Sequence, residues 1–302
     1  MKLERLNELL KKLVQMEDAE ENLEMVPLYE EALELSKEIY GEHNLKTLEI
    51  YNNYGGHLRN LGLYEKAMPE AWSWPHKMSA AGQLGFDFIE MSIDETQERQ
   101  LRLEWSKAQR REFAAWSRQE LCVSSICLSA HRKYPIGSHF PEIREKGMQI
   151  MENAIALAYD LGIRIIQLAG YDVYYNETSD SETKKYFTEN LFRSARMAAS
   201  CGVILGLETM ENDFMNTVEK AMEYVSEIDS PYLGVYPDTG NISNAVADVS
   251  GDLRRGAGHL FSAHLKETKP GIYRNLFFGE GKVDFPVIAD TLFDLGVLRF
   301  TA

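Results

Sequence analysis

Three residues at the ends of three apolar runs have side chains that could do chemistry together. Val203-Ile-Leu-Gly-Leu-Glu208 ends in a carboxylate, Tyr232-Leu-Gly-Val-Tyr-Pro-Asp238 in a second, and Leu260-Phe-Ser-Ala-His264 in an imidazole. A short apolar run closed by a polar residue reads as a buried strand whose last side chain faces a cavity. Glu208 and Asp238 are 30 residues apart and Asp238 and His264 are 26 apart, about one strand–helix–strand unit each. At the same ends of successive parallel strands the three would converge. Two carboxylates and an imidazole suit one divalent cation of the Mn, Zn, Co or Fe(II) type, which is the expected cofactor. Singly, each residue has a duller explanation: Glu208 an ion-pair partner, Asp238 a turn residue, His264 a core histidine. Their recurrence on three consecutive strand ends favours a site.

The elements that must hold these residues alternate regularly. From residue 61 onward, short apolar runs at 61–66, 86–91, 123–129, 163–169, 203–208, 233–236, 261–265 and 298–301 are separated by helical patterns. Those patterns fall at about 75–84, 98–120, 141–161, 182–199, 214–228, 246–256 and 285–295. Gly85, Gly162, Gly202 and Gly296 stand at helix-to-strand turns, where a left-handed C-cap is wanted. Eight strands and seven helices predict the α/β class: a (β/α)8 TIM-type barrel over residues 61–302, lacking its last helix. A doubly wound open sheet competes, but no glycine-rich phosphate turn follows the first strand. The carboxyl ends of barrel strands form the active face, and here they carry Glu65, Lys66, Glu90, His131, Arg132, Gln167, Tyr171, Glu208, Asp238, His264 and Lys266.

Residues 1–60 differ in texture. They are rich in Leu, Glu and Lys, and Leu3, Leu6, Leu9, Leu10 and Leu13 follow helical spacing. Leu28-Tyr-Glu-Glu-Ala-Leu33 is echoed 35 residues later by Leu63-Tyr-Glu-Lys-Ala-Met68, close to the 34-residue period of a tetratricopeptide helix pair. The segment predicts a tetratricopeptide-like helical hairpin as a first domain, and a protein partner, if there is one, is expected on its helices. Residues 61–68 are claimed both by this repeat and by the first barrel strand. The strand reading is preferred because its absence would leave an open sheet edge in the core.

Bulk properties exclude several partners. A net charge of −15 over 302 residues argues against nucleic acid or an anionic membrane, each of which needs a basic face. No apolar run reaches the length of a membrane span and the charged N-terminus is no signal peptide. Cys122, Cys127 and Cys201 read as free thiols of a reducing cytoplasm.

Several longer motifs carry a resemblance. Leu61-Gly-Leu-Tyr-Glu-Lys-Ala-Met-Pro69, Gly85-Phe-Asp-Phe-Ile-Glu-Met-Ser-Ile-Asp-Glu-Thr96 and Cys127-Leu-Ser-Ala-His-Arg-Lys-Tyr-Pro135 resemble the bacterial L-ribulose-5-phosphate 3-epimerases. So do Ile166-Gln-Leu-Ala-Gly-Tyr-Asp-Val-Tyr-Tyr175, Tyr236-Pro-Asp-Thr-Gly-Asn241, His264-Leu-Lys-Glu-Thr-Lys-Pro-Gly271 and Phe278-Gly-Glu-Gly-Lys-Val-Asp-Phe285. The resemblance spans residues 61–302 and lies within the xylose-isomerase-like barrels. It implies that Glu208, Asp238 and His264 are three of four metal ligands, with Glu208 also an acid/base group. It implies removal of the C-3 proton of L-ribulose 5-phosphate, an enediolate whose oxygens the metal holds, and reprotonation from the opposite face to L-xylulose 5-phosphate. His131 stands among the substrate-facing candidates, and Arg132, Lys266 and Lys269 are the cationic candidates for the phosphate of this sugar-phosphate substrate. The family's second catalytic glutamate follows strand eight, where this sequence ends at Leu298-Arg-Phe-Thr-Ala302, so an epimerase impaired by truncation is expected. The alternative is a repeat-bearing interaction protein with a relic barrel.

Overall fold

The computed structural model describes residues 2–16, 25–41, 46, 50, 73–83, 86–119, 121–274, 276, 278–297 and 300–301. The chain divides into two compact units, Met1–Gly85 and Phe86–Ala302, whereas the sequence places a boundary at 60/61. The residues around that expected boundary, including the doubly claimed 61–68, lie outside the described ones.

In the first unit, α1 (Lys2–Met16) and α2 (Met25–Tyr40) are followed by α3 (Trp74–Gln83). Leu6, Leu9 and Leu13, spaced three and four residues apart, form one stripe of α1. They bury against Met25, Tyr29, Ala32 and Leu33 of α2, with Ile50 completing the cluster. The two expected helices are therefore present and packed on each other. The second copy of the 35-residue echo falls among the undescribed residues.

The second unit alternates strand and helix in the order the sequence predicts. Its strands are β1 (Phe88–Ile93), β2 (Cys122–Leu128), β3 (Ile165–Ala169), β4 (Ile204–Glu208), β5 (Leu233–Tyr236), β6 (Ala263–His264) and β7 (Phe300–Thr301). β1 to β5 form one parallel sheet in sequence order, and β6 pairs in parallel with β7. Single parallel bridges, Val235 to Leu260 and Asp238 to His264, carry the succession from β5 to β6. β3 and β5 are buried along their whole length, as strands covered on both faces must be. Around them lie α4 (Gln97–Gln100), α5 (Lys107–Gln119), α6 (Pro141–Leu161), α7 (Ser181–Cys201), α8 (Val218–Ile228), α9 (Thr239–Ala245), α10 (Val249–Arg255) and α11 (Phe285–Asp294).

Cap chemistry explains where these helices begin and end. Gly162 and Gly202 close α6 and α7 with φ of 78° and 64°, the left-handed caps expected from sequence. Asp180 opens α7 with a capping box shared with Thr183.

The structure corrects three helices. The single helix expected at 98–120 is broken into α4, a 3-10 turn at Leu101–Glu104, and α5. Trp105 adopts an extended conformation there, and Arg110 ties back to the carbonyls of Trp105 and Leu103 at 2.8 and 2.9 Å. The helix expected from 214 begins at Val218, because Asn212 forms an Asx turn with the amides of Phe214 and Met215 before Thr217 caps. The stretch after Asp238, to which the sequence pattern assigns no helix, is α9. Asp238 caps it through the amide of Asn241 at 2.8 Å.

Register then fixes the site. Ala169 pairs with Glu208, Glu208 with Tyr236, and Asp238 with His264, so three successive strand ends deliver their polar residues to one level. Gly170, immediately after β3, lies so close to this level that a Cβ would collide with the Glu208 carbonyl oxygen and the Met215 sulfur. Overpacking of this kind costs roughly 1–3 kcal/mol. Gly170→Ala is expected to lower barrel stability by about that amount, read as a reduced urea midpoint at unchanged m-value.

Candidate metal centre and active site

Glu208 closes β4, Asp238 caps α9 two residues beyond β5, and His264 closes β6. All three are buried, and one potential ligand atom from each lies within 4.8 Å of the others. The His264 Nδ1 sits 2.5 Å from Glu208 Oε1. The free oxygen of Asp238, Oδ2, is 2.8 Å from Lys266 Nζ, while its Oδ1 is committed to the cap of α9. Lys266 is also held by Asn241 Oδ1 at 2.7 Å. Thr209 locks the turn from both sides: its hydroxyl accepts from the Asp238 amide at 2.9 Å and its carbonyl from Asn241 Nδ2 at 2.8 Å.

A second layer surrounds these residues. Gln167 Nε2 donates to Glu208 Oε2. The Gln167 Oε1 is buried and has no partner among the described residues. Glu90 projects from the middle of β1 into the barrel. Its Oε1 is 3.1 Å from His264 Nε2, and its Oε2 accepts from Ser125 Oγ at 2.6 Å and from the Tyr236 hydroxyl at 3.1 Å. The Tyr236 ring lies against the imidazole with centroids 4.7 Å apart.

The electrostatics follow from this enclosure. Burial alone would lower the His264 imidazole, but the carboxylates of Glu208 and Glu90 hold it well above the usual histidine range. Burial raises Glu90, and the hydrogen bonds from His264, Ser125 and Tyr236 outweigh it, leaving that carboxyl below its ordinary value.

The other sequence candidates sit differently. His131 is buried in the 3-10 turn Ser129–Arg132, with Nε2 3.1 Å from the Gly147 carbonyl of α6. It does not join the cluster, and burial pushes its imidazole down to about 4. Arg132 is beside the site. Its Nη1 is 3.7 Å from Glu95 Oε1, and its Nε is buried without a partner among the described residues. Burial opposes its charge, yet Cys127, Glu208, Tyr171 and Glu95 around it raise the guanidinium above its ordinary value. Lys266 belongs to the centre itself, through Asp238.

A tyrosine rim stands after β3. Tyr171 and Tyr175 both donate to Glu211, at 3.0 and 2.7 Å to Oε1, and Tyr174 packs edge-on to Tyr171. Sequence reasoning placed Glu90, Gln167 and Tyr171 on the rim without roles, and it overlooked Ser125, Asn241 and Glu211. Glu90 had a signal, since a carboxylate in the middle of the buried strand Phe88-Ile-Glu-Met-Ser-Ile needs partners inside.

Two carboxylates and one imidazole, drawn together in a buried pocket, fit a borderline divalent cation by donor type. The Gln167 oxygen beside Glu208 adds a buried acceptor with no donor among the described residues.

The model of the xylose isomerase-like TIM barrel matches residues 78–298. The L-ribulose-5-phosphate 3-epimerase UlaE of Shigella boydii serotype 18 is 46% identical over 233 residues, which are 77% of this chain and 82% of that protein. Among solved structures, D-psicose 3-epimerase from Clostridium cellulolyticum H10 superposes with a TM-score of 0.64 at 21% identity, covering 76% of this chain and 78% of that one. The 3-keto-D-glucoside 4-epimerase YcjR of E. coli superposes with a TM-score of 0.63 at 19% identity, covering 77% and 88%. At such identities these two share the fold.

His131 yields a prediction about pH. Unfolded, the imidazole takes up a proton near 6.5, and folded only near 4. Its contribution to stability is therefore intact above about pH 6.5 and is lost as the pH falls toward 4, to a total of about 3 kcal/mol. His131→Gln, which keeps a donor toward Gly147, should flatten that part of the pH–stability curve. Denaturation of both proteins between pH 4 and 7 checks this.

Proposed function

The chain belongs to the xylose isomerase-like TIM-barrel family, in the company of the L-ribulose-5-phosphate 3-epimerases, and from that premise we propose that it epimerises L-ribulose 5-phosphate at C-3, giving L-xylulose 5-phosphate. It is an isomerase acting on a ketose. The observation that carries the finer reading is the buried convergence of Glu208, Asp238 and His264 at one level of the barrel.

The proton at C-3 is acidic only in relation to the neighbouring carbonyl, so the site must hold a base and stabilise developing charge next to it. Glu208 is that base, taking the C-3 proton from one face, and a proton from solvent delivered to the opposite face completes the inversion. Gln167 fixes its Oε2 by an amide donor, which aims the carboxylate and limits its rotation. Glu208, Asp238 and His264 would together hold a divalent cation, which would supply positive charge to the substrate oxygens as the proton leaves. Lys266, tied to Asp238 and Asn241, and Arg132, whose buried Nε has no described partner, supply fixed cationic donors to an anionic sugar phosphate. Tyr171 and Tyr175, anchored through Glu211, and Tyr174, packed on Tyr171, give the sugar an aromatic wall.

The test is deuterium exchange. In D2O the wild-type chain, supplied with Mn(II) or Co(II), is expected to incorporate deuterium at C-3 of L-ribulose 5-phosphate and to form L-xylulose 5-phosphate, both followed by NMR. Glu208→Gln should slow the exchange by about 10²–10⁴-fold, and chelation should abolish it until a divalent cation is returned. Exchange at C-4, or undiminished exchange in Glu208→Gln, would overturn the assignment.

A further inference from the structure

The network beneath His264 is built at considerable cost. Glu90 is a carboxylate inside a barrel strand, flanked by the apolar Ile89 and Met91, both buried. An uncompensated buried carboxylate is strongly unfavourable. Here three different strands compensate it: Ser125 of β2, Tyr236 of β5 and His264 of β6 all converge on its two oxygens at 2.6, 3.1 and 3.1 Å. Ser125 and Tyr236 both occupy Oε2, so Oε1 is left facing the Nε2 of His264. An ionised carboxylate can only accept, and the hydroxyls of Ser125 and Tyr236 can turn their protons toward it. Both ring nitrogens thus face a carboxylate, Nδ1 that of Glu208 and Nε2 that of Glu90; a cation held by Glu208, Asp238 and His264 would take the place of the proton on Nδ1, while Glu90 keeps the one on Nε2. The Tyr236 ring, packed against the imidazole, removes the remaining freedom of rotation.

We propose that Glu90 is a positioning residue for the divalent cation: held by Ser125 and Tyr236, it fixes the tautomer and the plane of His264 so that Nδ1 is presented to the ion. A carboxylate behind a ligating histidine also makes that histidine a better donor, and loss of such a partner typically costs 10–100-fold in metal affinity. The inference rests on the cation site proposed above and adds a residue on a strand that supplies none of its ligands.

Direct metal binding tests it without turnover. Calorimetric titration of the metal-free chain with Co(II) gives the affinity, and the visible spectrum of bound Co(II) reports the ligand field. Glu90→Ala should bind about 10–100-fold more weakly with an altered spectrum. Glu90→Gln, which keeps the length and one acceptor but not the charge, should fall between it and wild type. Tyr236→Phe and Ser125→Ala, which leave Glu90 in place with its second oxygen loosened, should each weaken binding less than Glu90→Ala. Melting of the metal-free proteins separates positioning from folding: the expected loss of affinity appears in Glu90→Gln with its metal-free melting temperature close to wild type. Wild-type affinity and an unshifted spectrum in folded Glu90→Gln would overturn the proposal. Absence of Co(II) binding in the wild type would instead overturn the cation site on which it rests.

Discussion

Buried charge is the constraint that organises this barrel. Glu90, Glu208 and Asp238 bring three carboxylates into one enclosed region, and His264 and Lys266 are the two cationic partners they share. Removing such groups from water costs several kcal/mol each unless geometry and hydrogen bonds restore what hydration gave. Every oxygen of the three is accordingly engaged: by an amide at the α9 cap, by Gln167, by Ser125 and Tyr236, or by one of the two cations. The set still holds one more acid than base. By donor type and charge such an arrangement fits a divalent cation.

That cluster can exist only because the strands run parallel and in step. A one-residue slip along any of β3 to β6 would turn its polar end out of the cavity, since side chains alternate faces. The bridge from Asp238 to His264 is isolated rather than part of a long ladder, so the centre is pinned by few backbone bonds where it matters most. Side chains make up the difference. Thr209 ties the end of β4 to Asp238, and Asn241 ties α9 back to Thr209. The placement of Glu208, Asp238 and His264 thus depends on short polar side chains as much as on the apolar shaft.

Much of this was legible in the sequence. The strand–helix alternation, the glycine caps at Gly162 and Gly202, and the convergence of Glu208, Asp238 and His264 all follow from short-range patterns whose period survives folding. What was not legible depends on partners distant in sequence. Glu90 meets His264 across 174 residues and Tyr236 across 146, and no local pattern encodes such pairs. α9 escaped because Pro-Asp-Thr-Gly-Asn has turn composition, while the Asp238 side chain makes it a helix start by capping. The helix expected at 98–120 failed for a related reason. Its periodicity continues through Trp105, but Ser106 starts a new helix by capping the Gln109 amide, and Arg110 ties back to Trp105 and Leu103. The Leu61–Met68 assignment lies outside the described residues.

His131 and His264 show why residue type at a strand end is a weak guide by itself. Both are buried, and both follow apolar runs at the carboxyl end of the sheet. The neighbour of one is a carbonyl oxygen of α6, and the neighbours of the other are two carboxylates. A carbonyl can accept a proton's hydrogen bond but cannot balance a charge, so burial wins at His131 and the ring is kept neutral. Two carboxylates outweigh the same burial at His264 and hold the ring in electrostatic contact with the site. The difference lies neither in the histidine nor in the residue before it, which is alanine in both cases, Ala130 and Ala263. It lies in which strand each histidine ends. β6 brings His264 level with Glu208 and Asp238, whereas the chain leaving β2 turns at once into the 3-10 segment that buries His131 against α6. Topology, acting through register, assigns the chemistry.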